Sequence, residues 1–243
     1  MNYRQRLYSS YVSANKTYSY AATGDRDRKQ NYRFLDYFLA SWLRDLPKNA
    51  AVLDLGCGAG HFLEYLKSRG FTGGSGVDLS REQLELARQR GLVVQETSLF
   101  DALADPKQGP FDLISAFDVF EHLTRDEIFN ALDLVRERLK PGGQLLLQVP
   151  NGDSPFAGTI YWSDATHETN FTVVSLRHFL EAAGFCDLQF QESYPPPLGF
   201  RWRLRWLLWR LLRAGIVICH RVETGGLCTG HYSRVVRVIA RRA

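Results

Sequence analysis

Apolar positions along this chain follow two periods that take turns. Tyr32, Leu35, Phe38, Leu39 and Trp42 recur at helical spacing until Pro47, which predicts a helix over 32–46. Ala51–Leu55 is a short apolar run that stops at Gly56, and Gly60–Ser68 then shows helical spacing through Phe62, Leu63 and Leu66. The pattern predicts a strand, a tight turn and a helix. It repeats as a strand over Ser75–Val77, a helix over Ser80–Gln89 with Ser80 as its N-cap, and a strand over Leu92–Gln95. Phe111–Ser115 reads as a fourth strand. Asp126–Leu139 reads as a helix closed by Pro141 and Gly142, and Gln144–Val149 as a strand ended by Pro150. A helix over Val174–Ala183, stopped by Gly184, and a strand over Cys186–Gln191 follow. Pro195, Pro196 and Pro197 then break both periods, and Val235–Ala240 supplies a last strand. Such alternation predicts an α/β fold: a Rossmann-like, seven-stranded, mostly parallel sheet with helices on both faces, its last strand antiparallel, and a helical insertion before that strand.

Composition narrows the classes without choosing among them. The 243 residues are 45% hydrophobic, 23% charged and 13% aromatic, the balance of a folded globular chain. A net charge of +4 is too mild to argue for a nucleic-acid partner, and none is expected. Cys57, Cys186, Cys219 and Cys228 show no CxxC spacing, which suits free thiols in a reducing cytosol. Met1–Gln30 is polar, carries Tyr3, Tyr8, Tyr11, Tyr18 and Tyr20, and holds no apolar core suited to a signal peptide. The nearest approach to a membrane span, Leu207–Cys219, is interrupted by Arg210 and Arg213. A cytoplasmic protein that does not cross a membrane is expected.

The candidate chemistry starts at VLDLGCGAG, Val52–Gly60, where Gly56, Gly58 and Gly60 allow a strand to turn sharply into a helix with its backbone close to a ligand. A glycine turn alone also serves dinucleotides, or serves simply as a tight loop. Asp78 ends the second strand in GVDLS, where a carboxylate can accept hydrogen bonds from ribose hydroxyls, a placement that dinucleotide sites share. Two features discriminate: Asp54 stands on the strand before Gly56, and the glycine spacing is GxGxG rather than GxGxxG. The sequence thereby resembles the class I S-adenosylmethionine-dependent methyltransferases. The resemblance runs from Ala51 to about Gly184 and includes FDLISAFDVFEHL, LKPGGQLLLQVP and SLRHFLEAAGF in the family's order. It implies that Asp54 and the backbone of Gly56, Cys57, Gly58 and Gly60 surround the methionine part of S-adenosylmethionine. It further implies that Asp78, followed by Leu79, holds the ribose, that Ser98 and Leu99 border the adenine, and that Phe117 lies beside the cofactor. Ser98 is a departure, since many relatives carry an acidic residue there. Cys57 is expected to fill the turn as a small residue rather than act as a nucleophile.

Methyl transfer from a sulfonium needs an aligned acceptor and, for a hydroxyl, a base. The loops after the fourth and fifth strands offer Asp118, Glu121 and His122, and Tyr161, Asp164, His167 and Glu168. His167, in SDATHETNFT, is the first candidate base and His122 the second, each with a purely structural alternative. Asp118, Glu121 and His122 also resemble the metal-binding spacing of some quinone O-methyltransferases. A divalent metal is kept as an alternative, and no metal site is assigned.

Gly199–Arg221 stands apart. From Arg201 to Arg213 it carries five arginines, three tryptophans and no acid. At about 100° per residue, Leu204, Leu207, Leu208, Leu211 and Ile218 share one helix face, with the tryptophans, Arg203, Arg210 and Arg213 toward the other. Arginine beside tryptophan suits an anionic membrane surface, and packing on the core or on a second copy is the alternative. The expected layout is a single domain over 1–243: an N-terminal helical lid over 1–48, a cofactor-binding core over 49–191, the amphipathic insertion over 192–229 and the final strand over 230–243. THETNFTVVSLRHFLEAAGF and ETGG, Glu223–Gly226, resemble methyltransferases of bacterial surface-polysaccharide pathways. That resemblance implies O-methylation of a sugar or lipid-linked glycan hydroxyl, with the protein peripheral at the inner membrane face. A quinone or small-molecule O-methyltransferase and a non-catalytic, cofactor-binding membrane adapter are the alternatives. An NAD-dependent dehydrogenase is disfavoured by the turn spacing.

Overall fold

A computed structural model of the protein describes residues 25–226 and 229–243. The tyrosine-rich lead-in through residue 24 and Cys228 lie outside these described residues. The elements alternate in the order α1 (Asp25–Leu39), β1 (Val52–Leu55), α2 (His61–Ser68), β2 (Gly74–Asp78), α3 (Arg81–Gln89), β3 (Val93–Glu96), α4 (Leu99–Ala104), β4 (Phe111–Phe117), a 3-10 turn (Phe120–His122) and α5 (Arg125–Arg138). There follow β5 (Leu139–Pro150), α6 (Ala157–Tyr161), α7 (Val173–Ala182), β6 (Phe185–Glu192), α8 (Phe200–Thr224) and β7 (Val235–Arg242).

The seven strands form one sheet in the order β3-β2-β1-β4-β5-β7-β6. Pairing is parallel from β3 through β5, and β7 runs antiparallel to both of its neighbours, β5 and β6. The sheet has the predicted Rossmann-like architecture. Its strands alternate between two cores. On β4 and β5, Leu113 and Leu146 face Val52, Phe38 of α1 and Phe62, Tyr65 and Leu66 of α2, while Ile114, Ala116, Leu145 and Leu147 face α5 and α7. Phe38, Leu113, Ile114 and Leu146 are fully buried.

Three differences from the sequence pattern have local causes. The first helix ends at Leu39, not 46, because the chain there folds into tight turns in which Trp42 and Leu43 both donate to the Leu39 carbonyl. Helix α5 ends at Arg138, and Leu139 is already extended (φ −74, ψ 145), so Pro141 and Gly142 lie inside β5 rather than closing a helix. Proline excludes helical backbone at the residue before it, and Lys140 instead pairs with Asp112 at 2.8 Å. Helix α4 has only six residues, too few to show a period, and it uses Ser98 as its N-cap.

The insertion rises from the carboxyl end of the sheet. Pro150 pairs with Val235 and Glu192 with Val236, so residues 193–234 start and finish beside the ends of β5 and β6. Glu192 holds both arms: its carboxylate accepts from Arg213 Nε at 3.0 Å and from the backbone N–H of Tyr232 and Ser233.

Candidate active site

At the carboxyl end of β1 the backbone turns through left-handed conformations at Gly56 (φ 65), Gly58 (φ 51) and Gly60 (φ 79). Space as well as φ demands glycine: a Cβ on Gly56 would stand 2.4 Å from Val119 Cγ2, and one on Gly60 2.3 Å from Leu92 Cδ1. The turn is thereby pressed against the loop after β4. Asp78 ties it down from the other side. Its two carboxylate oxygens accept from Gly58 N at 2.8 Å and Ser80 N at 2.7 Å, so this one carboxylate bridges the glycine turn and the start of α3, where Ser80 is the N-cap. Leu79, next in sequence, is exposed.

Asp54, 3% exposed, accepts from Ser115 Oγ at 2.7 Å. Burial raises its pKa to about 7 against the opposing effect of the Ser115 hydrogen bond, with the Asp78 charge adding a smaller push. Such a carboxyl gains most from a cation placed beside it. Cys57 is buried, and burial together with the charges of Asp54 and Asp78 pushes its thiol up, which leaves no thiolate for nucleophilic work. Among the described residues Cys57, Cys186 and Cys219 are free thiols. Phe117, at the end of β4, packs on Phe62 with ring centroids 4.8 Å apart. Ser98 is engaged in its cap: its hydroxyl accepts from Asp101 N at 3.0 Å and donates to the Asp101 carboxylate at 2.6 Å. Any contact of Ser98 with a base edge therefore falls to its backbone. Leu99 packs against the core cluster.

Beyond β4 the chain passes Asp118 in a left-handed conformation (φ 56), strain that L-residues carry where the surrounding structure demands it. The Asp118 carboxylate accepts from Gln148 Nε2 at 2.9 Å. The 3-10 turn then brings Glu121 and His122 against the loop after β5. Glu168 N and Thr169 N both donate to the Glu121 carbonyl, at 2.7 and 3.1 Å, and Thr169 Oγ1 donates to the Leu123 carbonyl. This stitching sets the rings of His122 and His167 side by side, centroids 4.9 Å apart and planes tilted by 55°.

The partners of the two imidazoles determine what each can do. His167 Nδ1 lies 2.8 Å from the Tyr161 carbonyl, which can only accept, so Nδ1 carries the proton and Nε2 the lone pair. Thr166 Oγ1 donates to Asp164 Oδ1 at 2.6 Å and lies 2.8 Å from His122 Nδ1. With its proton committed to Asp164, the threonine hydroxyl accepts from His122, which again places the lone pair on Nε2. An Asp164–Thr166–His122 chain thus orients one imidazole and a backbone carbonyl orients the other. Glu121, 1% exposed, sits beside them, and its Oε2 has no hydrogen-bond partner among the described residues. Burial, with the charges of Asp118 and Asp164, holds this carboxyl well above the usual carboxylate range.

Glu121, His122 and His167 present ligand atoms within 4.8 Å of one another. This set differs from the Asp118, Glu121 and His122 spacing noted in the sequence. Asp118 is turned to Gln148, and His167 of the next loop joins in its stead. Sequence reasoning also passed over Thr166 and Ser115, whose importance lies in their hydrogen bonds, and Arg237. The Arg237 guanidinium is buried 5.0 and 5.4 Å over the rings of Phe38 and Phe34, with Nε and Nη1 unpartnered among the described residues. Burial brings its pKa down to about 10. Strand periodicity could have pointed to it, since an arginine between Val236 and Val238 must face the other side of the sheet, which α1 covers.

Residues 26–189 match the family model described as a methyltransferase domain. The chain belongs to the methyltransferase domain family. Over 105 residues the methyltransferase is 30% identical to the ubiquinone biosynthesis O-methyltransferase of Idiomarina loihiensis, a match covering 41% of this chain and 42% of that protein. The methyltransferase is thus matched along less than half of that relative's length. In structure it is similar to a SAM-dependent methyltransferase of Archaeoglobus fulgidus, with a TM-score of 0.65 and 20% identity over 86% of this chain and 94% of the other. It is also similar in fold to phosphoethanolamine N-methyltransferase 2 of Haemonchus contortus in complex with S-adenosyl-L-methionine, with a TM-score of 0.56 and 18% identity over 84% and 51% of the two chains. Both of these structures are described as methyltransferases that depend on or hold S-adenosylmethionine, and the likeness shows that the chain shares their fold. Among its described residues no helix is long and apolar enough to cross a membrane.

Proposed function

We propose that the methyltransferase moves the methyl group of S-adenosylmethionine to a hydroxyl oxygen of a small-molecule acceptor of the quinone-precursor kind. In this reading the ionised Asp54 faces the ammonium of the methionine part above the Gly56–Gly60 turn, with Cys57 filling space. Asp78 and Leu79 border the ribose, Ser98 and Leu99 the adenine, and Phe117 flanks the sulfonium. The paired imidazoles of His122 and His167 are the observation that carries the reading, since each keeps its Nε2 lone pair by giving its Nδ1 proton to a fixed acceptor. One of them takes the acceptor's proton as its oxygen attacks the methyl carbon. The carbon–sulfur bond breaks, and S-adenosylhomocysteine leaves with the bond's electron pair.

The named relative supports a quinone-pathway hydroxyl over the glycan hydroxyl that the ETGG and THETNFT stretches suggested. In this reading the protein works against the inner face of a membrane, where acceptors of either chemistry would be lipid-borne. A divalent cation on Glu121, His122 and His167 is a second reading, favoured by the unpartnered Glu121 Oε2. It would hold acceptor oxygens and lower their pKa. Turnover that survives a chelator sets it aside.

The test offers purified full-length protein and labelled S-adenosylmethionine a soluble catechol and, separately, a lipid-linked sugar. Label on the phenolic oxygen supports the proposal, and label on the sugar returns the acceptor to the glycan class. Cofactor binding with no transfer to any hydroxyl favours the non-catalytic adapter.

A further inference from the structure

Helix α8 runs for 25 residues without one buried side chain, yet it is far from uniform around its axis. Trp202, Trp206, Trp209, Arg213, Ile216 and His220 recur at three- and four-residue steps and, with Val217, are the half-buried ones, so this stripe faces the body. Arg213 fixes it there through Glu192 and the Gly230 carbonyl, and Arg33 of α1 reaches the Leu198 carbonyl at 2.8 Å just before the helix begins. At about 100° per residue the opposite side carries Leu204, Leu207, Leu208, Leu211, Ile218 and Val222. All six are exposed, from 50% at Leu208 to 82% at Val222. The tie to the protein that the helix itself makes, through Arg213, lies on the tryptophan stripe and not on the leucine stripe.

Arginines line this outward stripe on both sides. Arg201 and Arg205 fall along one flank and Arg203, Arg210 and Arg221 along the other, all exposed, and Glu223 is the only acid on the helix. Arg205 and Arg210 lean on Trp202 and Trp206 at 4.9 and 4.8 Å, which keeps their charges at the seam between the two stripes. A second copy meeting the leucine stripe would set arginine rows against arginine rows with one acid per helix to offset them. A nucleic acid would satisfy the arginines and leave six large apolar side chains against a polar backbone. An anionic bilayer satisfies both: leucines sink to the acyl boundary while guanidinium groups meet lipid phosphates.

We infer that α8 is an in-plane membrane helix, docking the protein through its Leu204–Val222 stripe onto a surface rich in anionic phospholipid. Because the insertion springs from the carboxyl ends of β5 and β6, docking sets the methyl-transfer end of the sheet beside the lipid. That gives the lipid-borne acceptor of the proposed function a route that does not pass through bulk water. Only this consequence rests on the proposed function.

Full-length protein is titrated with phosphatidylcholine vesicles with and without phosphatidylglycerol, and binding is read by co-sedimentation. Binding should require phosphatidylglycerol. It should weaken by roughly tenfold or more in Leu208→Glu and by roughly fivefold in Arg203→Ala. Neither variant should move the melting temperature or the turnover of a soluble acceptor. The inference is overturned if wild-type protein ignores anionic vesicles, if Leu208→Glu binds as the wild type does, if duplex DNA is bound in preference to vesicles, or if sedimentation shows a dimer that Leu208→Glu dissociates. A protein that binds vesicles but methylates no hydroxyl would leave the docking helix standing and remove the proposed acceptor.

Discussion

The glycine turn and helix α8 sit at the same end of the sheet and are built by opposite rules. In the turn, a single Cβ has nowhere to go: Gly56 abuts Val119, and Asp78 pins Gly58 and Ser80 with one carboxylate. In α8, eight large apolar side chains are exposed, six of them along the outward stripe, and no residue is buried. The turn is specified by contacts inside the chain, so under the proposed function almost any change there should be felt in binding or catalysis. The outward face of α8 is specified by something outside the chain, so changes there should be silent in the isolated protein.

The largest expected effect lies at the paired imidazoles. Replacing His122 and His167 together by alanine should lower kcat by about a thousandfold while S-adenosylmethionine binds as before, within the range that positioned acid–base groups supply. Single-turnover kinetics with a soluble phenol would check this. Thr166→Val, which removes the link from Asp164 to His122, should cost less than His122→Ala, and an unchanged pH profile in it would contradict the orienting role of that chain. Next comes the turn: Gly56→Ala, forced into φ 65 against Val119, should weaken cofactor affinity by up to roughly a hundredfold.

A smaller, graded effect belongs to Asp54. Its folded-state pKa is raised to about 7, so below that pH the unliganded carboxyl holds its proton, and a cation beside it favours the ionised form. Cofactor binding must then release a proton. Affinity should rise by up to roughly tenfold per unit as the pH climbs toward about 7, and level off above it. The sign for stability is the reverse: an acid with a raised folded pKa binds its proton more tightly in the native state than in the unfolded one, so the unliganded protein loses stability over the same rise. Asp54→Asn should flatten both curves in calorimetric titrations. The smallest effect is Arg213→Ala, which cuts the tie of α8 to Glu192 and Gly230. It should cost about 1 kcal/mol in a thermal melt, since the pair is partly exposed.

The same contrast explains how far the sequence could be read. The alternation of strands and helices along the chain, the glycine turn and the Ser80 cap were legible because each rests on local chemistry: a period, a left-handed backbone, an N-cap. The histidine pair was legible as two separate candidates, but the chain that orients His122 was not, since Asp164 and Thr166 matter only once the Glu121 carbonyl has drawn their loop close. Ser98 was read as an adenine neighbour; that its hydroxyl also caps a helix was not legible, because the helix is too short to show a period. For α8 the two stripes were visible in the sequence, but which of them meets the protein depends on Glu192 and Gly230, which lie outside the helix.

The central claim is that this cradle holds S-adenosylmethionine, and the most direct test is isothermal titration of the full-length protein with S-adenosylmethionine and, separately, NAD. The account predicts saturable S-adenosylmethionine binding, lost in Asp78→Ala and strengthened as the pH rises toward about 7, with no comparable uptake of NAD. Preference for NAD, or no binding of S-adenosylmethionine at any pH in a protein that melts cooperatively, would contradict it.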